Sequence, residues 1–156
     1  MSGNPIQKVI LLAEDDPDDI YLISEAIEES ALGARLYIVQ DGVELLDYLH
    51  RRGKFKDADT PRPDLILLDL NMPRRDGREA LEKIKADPGL RKIPVVVLTT
   101  SRADSDLQHT YDLGASGYVP KPVSFKALRE TIIKIGAYWL SAVQLPNHEI
   151  PPQDNS

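Results

Sequence analysis

At 156 residues, with 42% hydrophobic and 28% charged side chains, the chain has the size and composition of one globular domain with a substantial core. Nineteen basic residues against 25 acidic ones leave a net charge of -6, which opposes a polyanionic partner and argues against nucleic-acid binding. There is no cysteine, so disulfides and thiolate metal sites are excluded, and no apolar run approaches the ~20 residues of a membrane span.

The first seven residues, Met1 to Gln7, are polar, so a soluble, unprocessed and cytoplasmic protein is expected. The run Val9-Ile10-Leu11-Leu12-Ala13 reads as a strand and leads directly into Glu14-Asp15. Asp16 then fits a helix N-cap and Pro17 the first helical position, while Asp18 and Asp19 favour the positive end of the helix dipole. The spacing of Ile20, Ile23 and Ile27 continues that helix. A second strand (36–39) precedes a helix carrying Leu45, Leu46 and Leu49, and the charged stretch 50–63 reads as a solvated loop.

Leu65-Ile66-Leu67-Leu68 leads into Asp69, Val95-Val96-Val97-Leu98 into Thr99, and the run 117–119 through Pro120 into Lys121. Strands 65–68 and 95–98 are apolar at every position, the mark of strands buried on both faces between helix layers. Strands alternating with helices give an α/β fold, a doubly wound five-stranded parallel sheet for which the order 2-1-3-4-5 follows by fold analogy. Past Phe125 and Leu128, apolar residues continue at Ile132, Ile135, Trp139 and Val143, with Ile133, Tyr138 and Leu140 on neighbouring positions. That last helix is apolar over more than one face. Tyr138, Trp139, Leu140 and Val143 are therefore interface candidates, unless the extension folds back on its own domain. The domain is expected over 1–145, with 146–156 a disordered tail lacking apolar periodicity.

All strands of a parallel sheet deliver their carboxyl ends to one edge, so Glu14, Asp15, Asp69, Thr99 and Lys121 converge there. Three close carboxylates repel one another unless a cation is present, and an all-oxygen ligand set suits Mg2+, with Mn2+ as a substitute. A carboxylate beside such an ion and a lysine can attack phosphorus to form an aspartyl phosphate, and Asp69, at the end of the most apolar strand, is the best candidate. Lys121 and the Thr99 hydroxyl would neutralise the remaining phosphoryl oxygens.

Glu14-Asp15, Leu68-Asp69-Leu70-Asn71-Met72-Pro73 with Asp76-Gly77, Thr99, and Gly114-Ala115-Ser116-Gly117-Tyr118 with Lys121-Pro122 together resemble the signature set of response regulator receiver domains over residues 8–136. The resemblance implies a flavodoxin-like receiver fold with Asp69 as the residue phosphorylated by a histidine kinase. It implies Mg2+ on Glu14, Asp15 and Asp69 and on the backbone carbonyl of Asn71, with Asp15 the direct ligand and Glu14 acting through water. It makes Thr99 and Tyr118 the switch pair and Lys121 the phosphoryl-binding cation, with a cis Lys121-Pro122 bond. The altered output face would comprise the helix after the fourth strand, the fifth strand and the last helix. The stretch 135–146 and the loop ending Pro61-Arg62-Pro63-Asp64 further resemble single-domain response regulators of bacterial phytochrome kinases, implying such a kinase as donor and a homodimer.

Three function classes follow. One is a phosphoacceptor that signals to a downstream protein the sequence does not name, or that relays or stores phosphoryl groups as an intermediate or phosphate sink. Another is a Mg2+-dependent phosphohydrolase, disfavoured because Asn71 leaves no second carboxylate two residues after Asp69. The last is a flavodoxin-like cofactor module, disfavoured because acids, not a Gly-rich loop, follow the first strand. The first class is the reading adopted, so the protein is expected not to be an enzyme beyond catalysing its own phosphorylation and dephosphorylation.

Overall fold

A computed structural model describes residues 7–29, 33–72, 77–99, 108, 111–122 and 124–142. Its strands are β1 (Val9–Ala13), β2 (Arg35–Val39), β3 (Leu65–Leu68), β4 (Val95–Thr99) and β5 (Gly117–Pro120). They form one parallel sheet in the order β2-β1-β3-β4-β5, as expected. Helices α1 (Pro17–Glu29), α2 (Gly42–His50), α3 (Gly77–Ala86) and a C-terminal helix (Phe125–Ala137) cover its faces. The helix expected between β4 and β5 falls largely outside the described residues.

Alternation along the central strands builds two cores. Leu11, Ile66, Leu68, Val95 and Val97 face α2 and α3, where Leu45, Leu81 and Ile84 meet them. Ile10, Leu12, Leu65, Leu67 and Val96 face α1 and the C-terminal helix, against Ile23, Ile27, Leu128 and Ile132. β1, β3 and β4 are buried at every position because both their faces are covered. The edge strand β2 carries exposed and half-buried residues.

Local chemistry sets the helix ends. The Asp16 carboxylate accepts from the Asp18 N–H at 2.9 Å, and Pro17 opens α1. Asp41 caps α2 by accepting from the Glu44 N–H at 2.7 Å, and Ser124 caps the C-terminal helix by accepting from the Ala127 N–H at 3.1 Å. The stretch 50–63 departs from a plain solvated loop. It contains a short 3-10 turn (Gly53–Phe55), and Phe55 packs edge-on against Tyr48 at 5.3 Å between ring centroids. The aromatic side chain gains burial that the charged sequence around it does not suggest.

The C-terminal helix continues into a π turn at Tyr138–Ala142, whose Leu140 joins the core on the α1 side. Leu140, an interface candidate, is 7% exposed and belongs to the core of its own domain, whereas Tyr138 is 57% exposed. Trp139 is half-buried against that core and meets Tyr138 edge-on at 5.2 Å. Val143 and the expected tail at 146–156 lie outside the described residues.

Candidate functional site

Register places the site. Ala13 pairs with Leu68, and Thr99 with Pro120, so the next residue of β1, β3 and β5 is Glu14, Asp69 and Lys121. The ladder continues into these residues. Glu14 N–H donates to Val39 O at 2.9 Å, Asp69 N–H to Ala13 O at 3.0 Å, and Lys121 N–H to Thr99 O at 2.8 Å. Backbones fixed in this way hold the side chains at one edge without help from loop conformation.

The Lys121 ammonium is the hub. It donates to Glu14 Oε1 at 2.5 Å, to Asp19 Oδ2 at 2.8 Å and to Asp69 Oδ2 at 3.5 Å. Glu14, Asp69 and Lys121 are 1%, 6% and 6% exposed, so these interactions run through a medium that screens them weakly. Burial alone would lower the Lys121 pKa, but the bonds to Asp19 and Glu14 and the charge of Asp69 hold it above the usual lysine value. Glu14 is pushed up to about 7, first by burial and then by the Asp69 charge, against the pull of Lys121. One ammonium thus serves more carboxylates than it can neutralise. The other oxygen of Glu14 accepts from the N–H groups of Asp15 at 3.2 Å and Asp16 at 3.1 Å, which fixes its rotamer.

One carboxylate oxygen from each of Glu14, Asp15 and Asp69 can be chosen so that all three lie within 4.8 Å of one another. The donors are all oxygen and carry surplus negative charge, and Asp15 opens to solvent, so the set fits a hard divalent cation that keeps some of its water. The Asn71 N–H donates to Asp69 Oδ1 at 3.2 Å, and its side-chain amide donates to Thr99 Oγ1 at 3.3 Å, tying the carboxylate loop to β4. Thr99 is fully buried beside this link. Tyr118, on β5, is half-buried and packs against the core under α2 and α3.

Two expectations change. No peptide bond among the described residues is cis, the Lys121-Pro122 bond included. The ammonium reaches all three carboxylates from a trans peptide, so its placement does not require the cis form, and trans is the intrinsically favoured isomer. Asp19, assigned only to the helix dipole, is a member of the site. The signal was available: side chains in the first turn of a helix lean toward its N-terminus, and α1 begins at the carboxyl edge of β1. The role of Gly77 was also hidden. A Cβ there would lie 2.5 Å from Asp69 O and 2.7 Å from Leu70 Cα, so only glycine lets α3 start this close to the Asp69 backbone. Residues 73–76, which include Asp76 of the motif, lie outside the described set.

Comparison with known proteins points the same way. Residues 10–133 match the response regulator receiver domain family. The chain is 42% identical to the response regulator Rcp1 of Synechocystis sp. over 144 residues, covering 92% of this chain and 96% of that protein. It superposes on the crystal structure of the phosphorylated cyanobacterial phytochrome response regulator RcpA with a TM-score of 0.86 and 44% identity, covering 91% of this chain and all (100%) of that one. For the Mn2+-bound form of Rcp1 the TM-score is 0.84 at 42% identity, covering 89% and 99% of the two chains.

Proposed function

Because this chain belongs to the response regulator receiver domain family, we propose that it accepts a phosphoryl group on Asp69 from a phytochrome-type histidine kinase, in a Mg2+-dependent reaction, and signals through protein contacts. The observation that carries this reading is the meeting of Glu14, Asp69, Thr99 and Lys121, from four strands, at one buried edge of the sheet.

In the reaction an Asp69 carboxylate oxygen attacks phosphorus, a P–O bond forms, and the P–N bond to the donor histidine breaks. The electron pair leaves on the ring nitrogen, which takes up a proton. Asn71, by donating to Asp69 Oδ1, orients the carboxylate and leaves Oδ2 toward Lys121. Lys121 sits close enough to follow the charge onto the phosphoryl oxygens, and the buried Thr99 hydroxyl supplies a further polar contact at that edge. Glu14, Asp15, Asp69 and the Asn71 carbonyl would hold Mg2+ or Mn2+, which supplies neutralisation of a phosphoryl oxygen and relieves the repulsion among the carboxylates. The protein is a stoichiometric acceptor, not a turnover enzyme.

Phosphorylation exchanges one negative charge for about two, and Thr99 and Tyr118 form the pair that responds. Output passes through β5 and the C-terminal helix, where exposed Tyr138 beside Trp139 offers an aromatic surface for a homodimer or a downstream protein. The test is intact mass after incubation with acetyl phosphate, with and without Mg2+, for the wild type and Asp69→Asn, with size-exclusion elution of each sample. One Mg2+-dependent adduct, lost in Asp69→Asn, is the expected result. An adduct that persists in Asp69→Asn, or none on the wild type with either acetyl phosphate or a phytochrome-type kinase, overturns it.

A further inference from the structure

Lys121 has two kinds of carboxylate partner. Glu14 and Asp69 belong to the group that can surround a cation, whereas Asp19 does not. Asp19 comes from the first turn of α1, and at 2.8 Å it is nearer to Lys121 Nζ than Asp69 is at 3.5 Å. Helix capping does not account for it, because Asp16 already serves the Asp18 N–H. Its side chain is 19% exposed against 6% for Lys121, so the bond lies at the solvent side of an otherwise buried cluster.

We propose that Asp19 is a positioning residue that draws the Lys121 ammonium toward α1, keeping it from competing with a divalent cation for Glu14, Asp15 and Asp69. An ammonium and a metal ion both seek the Glu14 and Asp69 oxygens, and two cations cannot share them closely without repulsion. With Asp19 as an alternative partner, Lys121 keeps a charge-assisted hydrogen bond while the metal binds. It is then available to the phosphoryl group from the side. That last consequence rests on the function proposed above; the effect on cation binding does not.

The inference makes a claim about coupling between two residues, which a double-mutant cycle isolates. The probe is Mn2+ alone, its affinity read from the free-ion EPR signal, on the wild type, Asp19→Asn, Lys121→Met and the double variant. Asp19→Asn should weaken Mn2+ binding roughly tenfold in the presence of Lys121, because the ammonium, already bonded to Glu14 at 2.5 Å, loses its alternative partner and competes harder with the ion for Glu14 and Asp69. In the Lys121→Met background the same substitution should change the affinity by less than about twofold, since no ammonium remains to be steered. Asp19→Glu, which keeps the charge, should stay near the wild type, and Asp19→Ala should repeat the coupling seen with Asn. Equal losses in both backgrounds would reduce Asp19 to a distant negative charge and overturn the proposal. So would an unchanged affinity in Asp19→Asn, or a wild type that fails to bind Mn2+. The acetyl phosphate experiment fails or succeeds separately: a wild type that binds Mn2+ with this coupling yet takes no phosphoryl group removes the proposed function and leaves the role of Asp19 intact.

Discussion

Tyr48 is buried on α2, and its hydroxyl donates to Pro61 O at 2.9 Å, pinning the segment that leads into β3. Burial first, and the neighbouring Tyr37 second, push its pKa up to about 12 from an ordinary 10.0. The folded state therefore holds a proton that the unfolded chain has released. The corresponding stability is present below pH 10 and is lost as pH rises through about 12, a loss on the order of 2 kcal/mol. Denaturant titrations at stepped pH should show that fall in the wild type and a smaller one in Tyr48→Phe, which should also cost about 1 kcal/mol near neutrality for the missing hydrogen bond. Matching pH profiles in the two proteins would contradict this account. Sequence spacing brought Asp69, the proposed phosphoacceptor, and Lys121 to one edge because each follows an apolar strand directly. Asp19 escaped because its residue type and position already satisfy a local rule for helix starts, and a side chain that satisfies a local rule gives no sign of a partner 102 residues away.

Among the elements, the start of α3 is the most constrained. Its first residue, Gly77, donates from its N–H to Leu70 O at 2.9 Å and has no room for a Cβ against the Asp69 backbone. Gly77→Ala should shift either the helix or the Asp69 loop, lowering stability by about 2 kcal/mol or more and slowing adduct formation. Chemical denaturation and the acetyl phosphate time course measure the two effects, and a variant normal in both would show that the loop gives way freely. The C-terminal extension divides by residue. Leu140→Ala should cost about 2–4 kcal/mol in the isolated domain because its side chain fills the α1-side core, whereas Tyr138→Ala should leave that stability within about 0.5 kcal/mol. Reversed magnitudes would mean that the π turn does not hold Leu140 inward. Apolar periodicity showed that this helix had more than one face to bury. It could not assign those faces, because the assignment depends on how α1 and the widened turn meet.

Across the whole molecule, a parallel sheet and the convergence of its strand ends were legible from alternation of strand and helix, whereas the sheet order came from analogy with doubly wound folds, which allow few arrangements. The charge balance at the site was less so: which carboxylates crowd the lysine is a property of packed distances. That crowding predicts a response of global stability to cations. At a Mg2+ concentration about a hundredfold above its dissociation constant, the folded state should gain about 2.7 kcal/mol, raising the melting temperature by ~5–10 °C, with chelation reversing the gain. Thermal melts with and without Mg2+ check this, and a flat response would mean that the three acids do not bind the ion. The hub bond has one more consequence. Glu14 and Lys121 stand 107 residues apart, just past the ends of β1 and β5, and Asp69 follows β3, one of the two strands between them. A chain emerging from the ribosome therefore carries Asp69 long before Lys121, and the cluster closes only when the last strand docks. On the proposed reading, fragments and half-folded chains that have not brought Lys121 to this edge would take no phosphoryl group at Asp69.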